Sequence, residues 1–210
     1  EKKKMKQWFF KITDYADRLL ADVDSLDWPE KIKTMQKNWI GKSVGSEVVF
    51  QVKDSAHQIK VFTTRIDTIF GATFLVLAPE HPLALELATE DRKTEVAEYI
   101  KNAIKKSEIE RQENKEKTGV FTGSFAINPV TGAKIPIYVA DYVLIGYGEG
   151  AVMAVPAHDE RDRAFAEKYE LEVKTVIDEN EILINSGNYT GLTSEKAKEK
   201  ITKDLEKEHI

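Results

Sequence analysis

Two short, almost wholly apolar runs constrain the fold of this chain more than any other feature of its sequence. The first covers residues 72–78 and stops at the Pro-Glu-His-Pro sequence of residues 79–82, and the second covers residues 151–155 and stops at a proline. Apolar runs of this length that end at proline are typical of buried strands. A helix is expected after each run, at about 83–89 and 159–169, so the sequence predicts strands packed against helices.

The spacing of apolar residues predicts further strands and helices around these runs. The additional predicted strands are residues 47–52, 57–63, 120–127, 134–139 and 142–145, and the first two form a hairpin. The additional predicted helices are residues 4–22, 29–40, 92–106 and 193–210. The polar residues 107–119 indicate a solvated loop or a frayed helix end.

The charge balance and the absence of cysteine argue against several classes of protein. The 31 basic and 36 acidic residues leave a formal charge of −5, whereas a protein that grips long nucleic acid needs a basic surplus. A chain without cysteine forms no disulfide and no thiolate zinc site, and it fits a reducing compartment. No apolar run approaches the roughly 20 residues of a membrane span, and the first residues do not resemble a signal peptide. We therefore expect a cytoplasmic protein without a membrane partner.

The densest polar cluster follows the predicted hairpin, in the sequence Thr-Thr-Arg-Ile-Asp-Thr of residues 63–68. Its hydroxyls and guanidinium can donate hydrogen bonds to a carbonyl, an anion or the end of a nucleic acid. The alternative is a turn in which the threonines and Asp67 satisfy backbone amides while Arg65 pairs with Asp67. Capping is the more frequent role for such residues, and the residues alone leave both interpretations open.

Three alternating glycines, in the sequence Gly-Tyr-Gly-Glu-Gly of residues 146–150, precede the second apolar run. Phosphate-binding loops also use glycine, but they follow a strand, open a helix and end in Lys-Ser or Lys-Thr. A nucleotide P-loop is therefore disfavoured. The glycines fit either a bend that lets a ligand or a neighbouring strand approach the backbone closely or a structural bulge.

A histidine and two aspartates gather where the second apolar run meets its helix. Asp159 and Asp162 are three residues apart, so we expect their carboxylates on one helical face near His158. The pair could bind an ammonium group, or with His158 could ligate a divalent metal. The structural alternative is that acidic residues in the first turn cap the helix and stabilise its dipole.

These clusters leave three functions open. One is a metal-independent hydrolase in which the threonine–arginine cluster faces the aspartate pair, and another is a metal-dependent hydrolase centred on His158, Asp159 and Asp162. The third is a non-catalytic module that binds, for example, an RNA 3′ end. Sensitivity to a chelator separates the first two, and any turnover eliminates the third.

Three motifs occur together in a fixed order: the threonine-rich sequence at 63–73, the glycine sequence at 146–156, and His-Asp-x-Arg-Asp at 158–162. This combination resembles the editing domain of bacterial-type leucyl-tRNA synthetases. The resemblance extends to residues 7–41 and weakens in 86–120 and after residue 171. The His-x-Gly-His and Lys-Met-Ser-Lys-Ser signatures of class I synthetases are absent from the 210 residues. The resemblance therefore implies that ATP and magnesium belong to a catalytic domain outside this chain.

The resemblance implies a hydrolase that removes wrongly attached amino acids from leucine tRNA, needs no metal or cofactor, and excludes leucine. A misactivated aminoacyl-adenylate is a second substrate under this interpretation. By family position, Thr63, Thr64 and Arg65 surround the scissile ester and the terminal adenosine, and Asp162 anchors the α-ammonium group. Thr68 blocks the leucine side chain. The remaining expected binding residues are Tyr147, Met153, Asp159 and, as a neighbour without an assigned catalytic role, His158.

The resemblance also implies an α/β fold with a mixed, barrel-like β core and peripheral helices. Residues 1–43 would form a helical linker from the catalytic body, residues 44–192 the editing domain, and residues 193–210 a helix returning toward that body. The expected partners are the tRNA 3′-terminal adenosine with its amino acid and the rest of the synthetase, in a monomer. Two residues depart from the family pattern, Ile66 in place of proline and Glu149 in place of threonine, and we expect both to alter substrate affinity.

Overall fold

The computed structural model describes residues 5–113, 116–146 and 148–208, and the chain divides into two compact units, Glu1–Val44 and Gly45–Ile210. The division falls where the spacing of apolar residues changes from helical to alternating. Tyr147, one of the expected binding residues, lies outside the described residues. Within the described ranges, every helix is too short or too polar to cross a membrane.

The first unit consists of short helices. A 3-10 turn at Ile12–Tyr15 leads into helix α1 at Ala16–Val23, and helix α2 spans Glu30–Ile40. Pro29 precedes α2, and Gly41 ends it with a left-handed backbone (φ 66°), as the sequence predicts.

The helix predicted over residues 4–22 is wrong in its first half, because the described residues before the 3-10 turn are not helical. Trp8, Phe9 and Phe10 are almost fully exposed in this segment. Helices gain most of their stability in water from burying an apolar face, and this segment buries none.

A six-stranded mixed sheet forms the centre of the second unit. Its strands are β1 (Ser46–Val52), β2 (Gln58–Thr63), β3 (Phe74–Leu77), β4 (Gly119–Ile127), β5 (Lys134–Ala140) and β6 (Ala151–Ala154). Their order in the sheet is β2-β1-β4-β5-β3-β6. β3 runs parallel to β5, and the other neighbouring strands are antiparallel. The predicted mixed α/β fold is confirmed.

The two apolar runs form the paired strands β3 and β6, with Leu75 opposite Met153. Leu75 and Leu77 pack in one hydrophobic cluster, whereas Phe74 and Val76 pack in a second one. Both faces of β3 are therefore buried, and a strand buried on both faces is apolar at successive positions. This explains why the run is continuous instead of alternating.

The sheet is open, although it curls toward a barrel. β2 and β6 are its edges, and in the described part of the chain no ladder of hydrogen bonds joins them. Their Cα atoms nevertheless approach within 8 Å. The expected barrel-like core is thus a curled, incompletely closed sheet.

Five helices of the second unit lie within the described residues: α3 (Leu83–Glu86), α4 (Lys93–Ala103), α5 (Glu108–Glu113), α6 (Glu160–Lys168) and α7 (Ser194–Glu208). α6 buries Phe165 in the second hydrophobic cluster. α7 places Ala197, Ile201 and Leu205, which are four residues apart, in the first cluster. The C-terminal helix therefore packs into the same core as the sheet.

Two local predictions are corrected. Residues 142–145 form a turn instead of a strand, because Tyr142 and Val143 bury their side chains in the cluster that contains Phe165 of α6. The polar stretch 107–119 contains α5, in which Arg111 is buried and pairs with Glu80. In both places, the sequence did not reveal what each side chain packs against.

Candidate active site

A cavity of about 500 Å³ lies between the two edges of the sheet and the start of α6. β2 contributes Val61–Thr63 to its wall, and β6 contributes Val152 and Met153. All the expected site residues within the described part of the chain line this cavity, namely Thr63, Thr64, Arg65, Thr68, Met153, His158, Asp159 and Asp162. Motifs that are about 90 residues apart in the sequence thus share one cavity.

Hydrogen bonds hold the threonine segment in a tight turn between β2 and a short 3-10 helix at Ile66–Gly71. The Thr63 Oγ1 atom accepts a hydrogen bond from the Arg65 backbone N–H at 3.0 Å, and the Thr68 hydroxyl donates to the Arg65 carbonyl at 2.8 Å. Thr63 therefore satisfies a backbone amide, as the turn interpretation predicts, whereas the Thr68 hydroxyl satisfies a carbonyl. Thr64 is exposed, and no partner of its hydroxyl is found among the described residues, so this hydroxyl is available to a ligand.

Arg65 is oriented by a buried carboxylate. Its guanidinium contacts both carboxylate oxygens of Asp67, with distances of 3.0–3.2 Å. Asp67 is fully buried and also accepts a hydrogen bond from the hydroxyl of Ser194, the first residue of α7. The Arg65 side chain remains half exposed, so it presents a fixed positive charge at the mouth of the cavity.

Asp159 serves as the N-cap of α6. Its carboxylate accepts hydrogen bonds from the backbone N–H groups of Arg161 and Asp162 and pairs with the Arg161 guanidinium at 3.0 Å. Although burial acts to raise the pKa of Asp159, the Arg161 side chain and the backbone donors hold it below its usual value. Asp159 therefore caps the helix, which was the structural alternative for this residue, and it does so within the wall of the cavity.

Asp162 is the buried acid of the site, with only 7% of its surface exposed. The Tyr142 hydroxyl donates to its Oδ1 atom at 3.0 Å, and the Val155 backbone N–H donates to Oδ2 at 2.8 Å. Both donors are neutral, and no cation of the described residues forms a salt bridge with this carboxylate. Burial raises the pKa of Asp162 to about 6, and the negative charge of Asp159 acts in the same direction. A buried carboxylate without a cation is a favourable place for a positively charged ligand group.

His158 points its Nε2 atom at the backbone instead of at the two aspartates. This atom accepts hydrogen bonds from the N–H groups of Val176 and Ile177, both at 3.2 Å. Burial and the positive charge of Arg65 lower the pKa of His158, so the ring is neutral with its proton on Nδ1. Among the described residues, no group of three side chains is arranged to hold a metal. The geometry therefore disfavours a metal centred on His158.

The glycine segment makes a left-handed bend immediately before β6. Gly148, Glu149 and Gly150 all have positive φ angles, of 48°, 52° and 69°. A Cβ atom on Gly150 would lie 2.5 Å from the Cδ1 atom of Ile145, so a substitution here would displace the end of that side chain as well as strain the backbone. The segment is therefore a bend that brings the backbone close to the neighbouring strand β2, since a Cβ atom on Gly148 would lie 3.4 Å from the Cβ atom of Phe62. Glu149 occupies a strained backbone conformation.

Comparison with known protein families identifies this arrangement. A family model for the editing domain of leucyl-tRNA synthetase matches residues 37–206. The chain belongs to this family. Both the threonine segment and α6 lie within the matched range.

Individual members of the leucyl-tRNA synthetase family match nearly the whole chain. The leucine–tRNA ligase of Clostridium beijerinckii is 55% identical over 222 residues, which cover 100% of this chain and 27% of the ligase. The Clostridium perfringens ligase is 56% identical over 217 residues, with coverages of 97% and 27%. A crystal structure of the Agrobacterium radiobacter K84 agnB2 LeuRS–tRNA–LeuAMS ternary complex matches with a TM-score of 0.81 and 39% identity, covering 96% of this chain and 24% of that one. This chain therefore spans about a quarter of the length of these relatives.

The editing domain also contains site residues that the sequence reasoning missed. Tyr142 contacts Asp162 but lies in a segment predicted as a strand, and Ser194 contacts Asp67 from 127 residues away. Ser194 lies at the start of the helix predicted over residues 193–210. Neither residue belongs to a motif of the sequence, so local patterns gave no signal for them.

Proposed function

We propose that this chain hydrolyses the aminoacyl ester of mischarged leucine tRNA and leaves leucine-charged tRNA intact. The observation that carries this proposal is Asp162, a buried carboxylate that forms no salt bridge within the described part of the chain and shares a cavity with the threonine segment. An aminoacyl ester carries an α-ammonium group, which would supply the missing positive charge. Membership of the leucyl-tRNA synthetase editing family supports the choice of tRNA.

The need for a second site follows from the energetics of selection. A synthetic pocket for leucine separates aliphatic analogues that differ by about one methylene by only about 1–3 kcal/mol. An editing site corrects the remaining errors if it admits the analogue and rejects leucine. Thr68 is suited to that rejection, because it is 3% exposed and its hydroxyl is fixed on the Arg65 carbonyl. Its side chain therefore occupies a constant volume in the cavity wall.

The groups around the ester would act by orienting water and stabilising negative charge. Thr64 contributes a free hydroxyl, and Arg65 contributes a positive charge held in place by Asp67. Both can donate hydrogen bonds to the oxyanion that forms when water attacks the ester carbonyl. Thr63 shapes the turn that places these two groups at the cavity. The mechanism needs no metal, in keeping with the geometry at His158.

The partners of this chain would be the 3′-terminal adenosine of leucine tRNA and the rest of the synthetase, acting in the cytoplasm as a monomer. The surface of the first unit supports a contact with the rest of the synthetase. This unit exposes many large apolar side chains, and such side chains are normally covered by another part of a protein. These side chains are Trp8, Phe9, Phe10, Ile12, Tyr15, Met35 and Trp39.

Deacylation by the full-length parent enzyme tests the proposal. Asp162→Ala is expected to lower kcat/KM for isoleucine- or norvaline-charged leucine tRNA by roughly 30-fold or more, since losing one partner of a buried charge pair costs about 2–5 kcal/mol. Asp178→Ala is the matched control, because Asp178 also accepts backbone N–H hydrogen bonds but lies outside the cavity.

Two outcomes would contradict the proposal. Asp162→Ala could deacylate like the control, which would remove Asp162 from substrate binding. A chelator could abolish hydrolysis by the wild-type enzyme, which would restore the metal-dependent alternative centred on His158.

A further inference from the structure

Tyr142 is tied to Asp162 from a different part of the fold. It lies in the turn that follows β5, and its ring centroid is 5.6 Å from that of Phe165 on α6. Its hydroxyl donates to Asp162 Oδ1 at 3.0 Å, while the Val155 N–H donates to Oδ2. The packed ring and the two donors together fix the plane of the Asp162 carboxylate.

This arrangement leaves the carboxylate able to accept further hydrogen bonds. Each oxygen of an ionised carboxylate has about two acceptor sites, and the protein occupies one on each oxygen. An ammonium group has three donors and can use the remaining sites. The charged side chains that act on the pKa of Asp162 are Asp159 and Arg161, and these two are already paired with each other.

We propose that Tyr142 is a positioning residue for substrate recognition: its hydroxyl holds the Asp162 carboxylate in the orientation that receives the α-ammonium group. This inference rests on the proposed function, because it assigns Asp162 to the ammonium of an aminoacyl ester. The residue contacts Asp162 and none of the reacting atoms, so its effect is exerted through binding.

The protonation states fit this role. Burial and the adjacent Asp162 hold the pKa of Tyr142 well above its usual value, so the hydroxyl remains a donor wherever Asp162 is ionised. Burial and Asp159 raise the pKa of Asp162, whereas the Val155 N–H and the Tyr142 hydroxyl lower it. Removing the hydroxyl should therefore raise the pKa of Asp162 further and shift the acid limit of substrate binding to higher pH.

Tyr142→Phe in the full-length parent enzyme tests the inference, with norvaline-charged leucine tRNA as the substrate between pH 5 and 8. KM is expected to rise about ten-fold with little change in kcat, and the acid limb of kcat/KM is expected to move to higher pH. Tyr138→Phe is the matched control. Tyr138 belongs to the same aromatic cluster around Phe165, but its hydroxyl does not contact Asp162.

A second substrate separates positioning from a general packing defect. For an ester in which a hydroxyl replaces the α-ammonium group, Tyr142→Phe and wild type are expected to have the same KM. Equal losses on both substrates, or an unchanged KM and pH limb on the first, would overturn the inference.

Titration of the Asp162 carboxyl tests the role of Tyr142 separately from the proposed hydrolysis. If wild type releases no amino acid from either substrate, the proposed function fails. NMR titration of the Asp162 carboxyl in the 210-residue chain then still tests the coupling: Tyr142→Phe should raise its pKa relative to wild type and Tyr138→Phe, and an unchanged value would refute the coupling.

Discussion

Ionised Asp162 lowers the stability of the folded protein, in addition to its proposed role in substrate binding. Its pKa is raised by burial to about 6, compared with about 3.9 in an unfolded chain, so the folded protein binds this proton more tightly than the unfolded one. The ionised carboxyl therefore destabilises the fold above pH 6. The free energy of unfolding increases as the pH falls from about 6 toward 4, because Asp162 becomes protonated in the folded protein.

Asp162→Asn is accordingly expected to raise the free energy of unfolding at pH 7, by on the order of 2–3 kcal/mol. The advantage over wild type should disappear as the pH is lowered to 4, because the wild-type carboxyl is then neutral. Urea unfolding at several pH values measures both quantities. Asp159→Asn should do the opposite and lower stability at pH 7, since the pKa of Asp159 is held low by its Arg161 and backbone partners. Parallel pH profiles for wild type and Asp162→Asn would contradict this account.

The candidate site could be predicted from sequence only where its residues belong to motifs. Thr68 and Asp162 were located through their motifs, and the structure places both in one cavity. The partners that orient them could not be found in this way. Tyr142 is a single residue in an apolar run, and Ser194 is one of many serines that can begin a helix.

At the level of elements, apolar spacing predicts a strand or helix correctly where the element is buried on both faces or on one face only. β3 is buried on both faces and was predicted from its continuous apolar run. Residues 142–145 are equally apolar, but Tyr142 and Val143 pack in the cluster that contains Phe165 of α6. Apolar spacing cannot separate burial against a helix from burial in a sheet. α5 was missed because its charges suggested exposure, whereas Arg111 is buried and pairs with the partly exposed Glu80.

A hydrogen bond from α7 connects this last helix to the candidate active site. Ser194 begins α7 and donates to Asp67, which in turn holds Arg65. Ser194→Ala is expected to slow deacylation about five-fold by loosening Arg65, a cost of about 1 kcal/mol for one hydrogen bond. Ser186→Ala is the matched control, because this buried serine donates to the Ile184 carbonyl at 2.8 Å and does not line the cavity. Equal effects of the two variants on the deacylation rate would argue against the link.

On the scale of the whole molecule, the formal charge of −5 initially argued against RNA as a partner. Membership of the leucyl-tRNA synthetase editing family makes RNA a plausible partner even though the formal charge remains −5. A cavity of about 500 Å³ accommodates an amino acid and part of a terminal nucleotide, so the tRNA body would be held by the rest of the synthetase. The chain spans only 27% of its Clostridium relatives, which leaves ample protein for that purpose.

The 210-residue chain alone is therefore expected to bind leucine tRNA much more weakly than the full-length enzyme. Its affinity should also depend little on salt, because few phosphates are neutralised. Fluorescence anisotropy at two salt concentrations measures both properties. An affinity equal to that of the full-length enzyme would show that this chain grips the tRNA body itself.

Selective hydrolysis is the central claim, and Thr68 tests it most directly. Thr68→Val retains the bulk of the side chain, Thr68→Ala removes it, and Thr73→Ala is a control at a threonine whose hydroxyl donates to the Glu172 carbonyl outside the cavity. The measurement is the rate at which the full-length enzyme and these variants release leucine from leucine-charged tRNA. Thr68→Ala should raise this rate by at least about ten-fold, while wild type, Thr68→Val and Thr73→Ala spare the ester. If Thr68→Ala also spares leucine, steric exclusion by Thr68 is refuted.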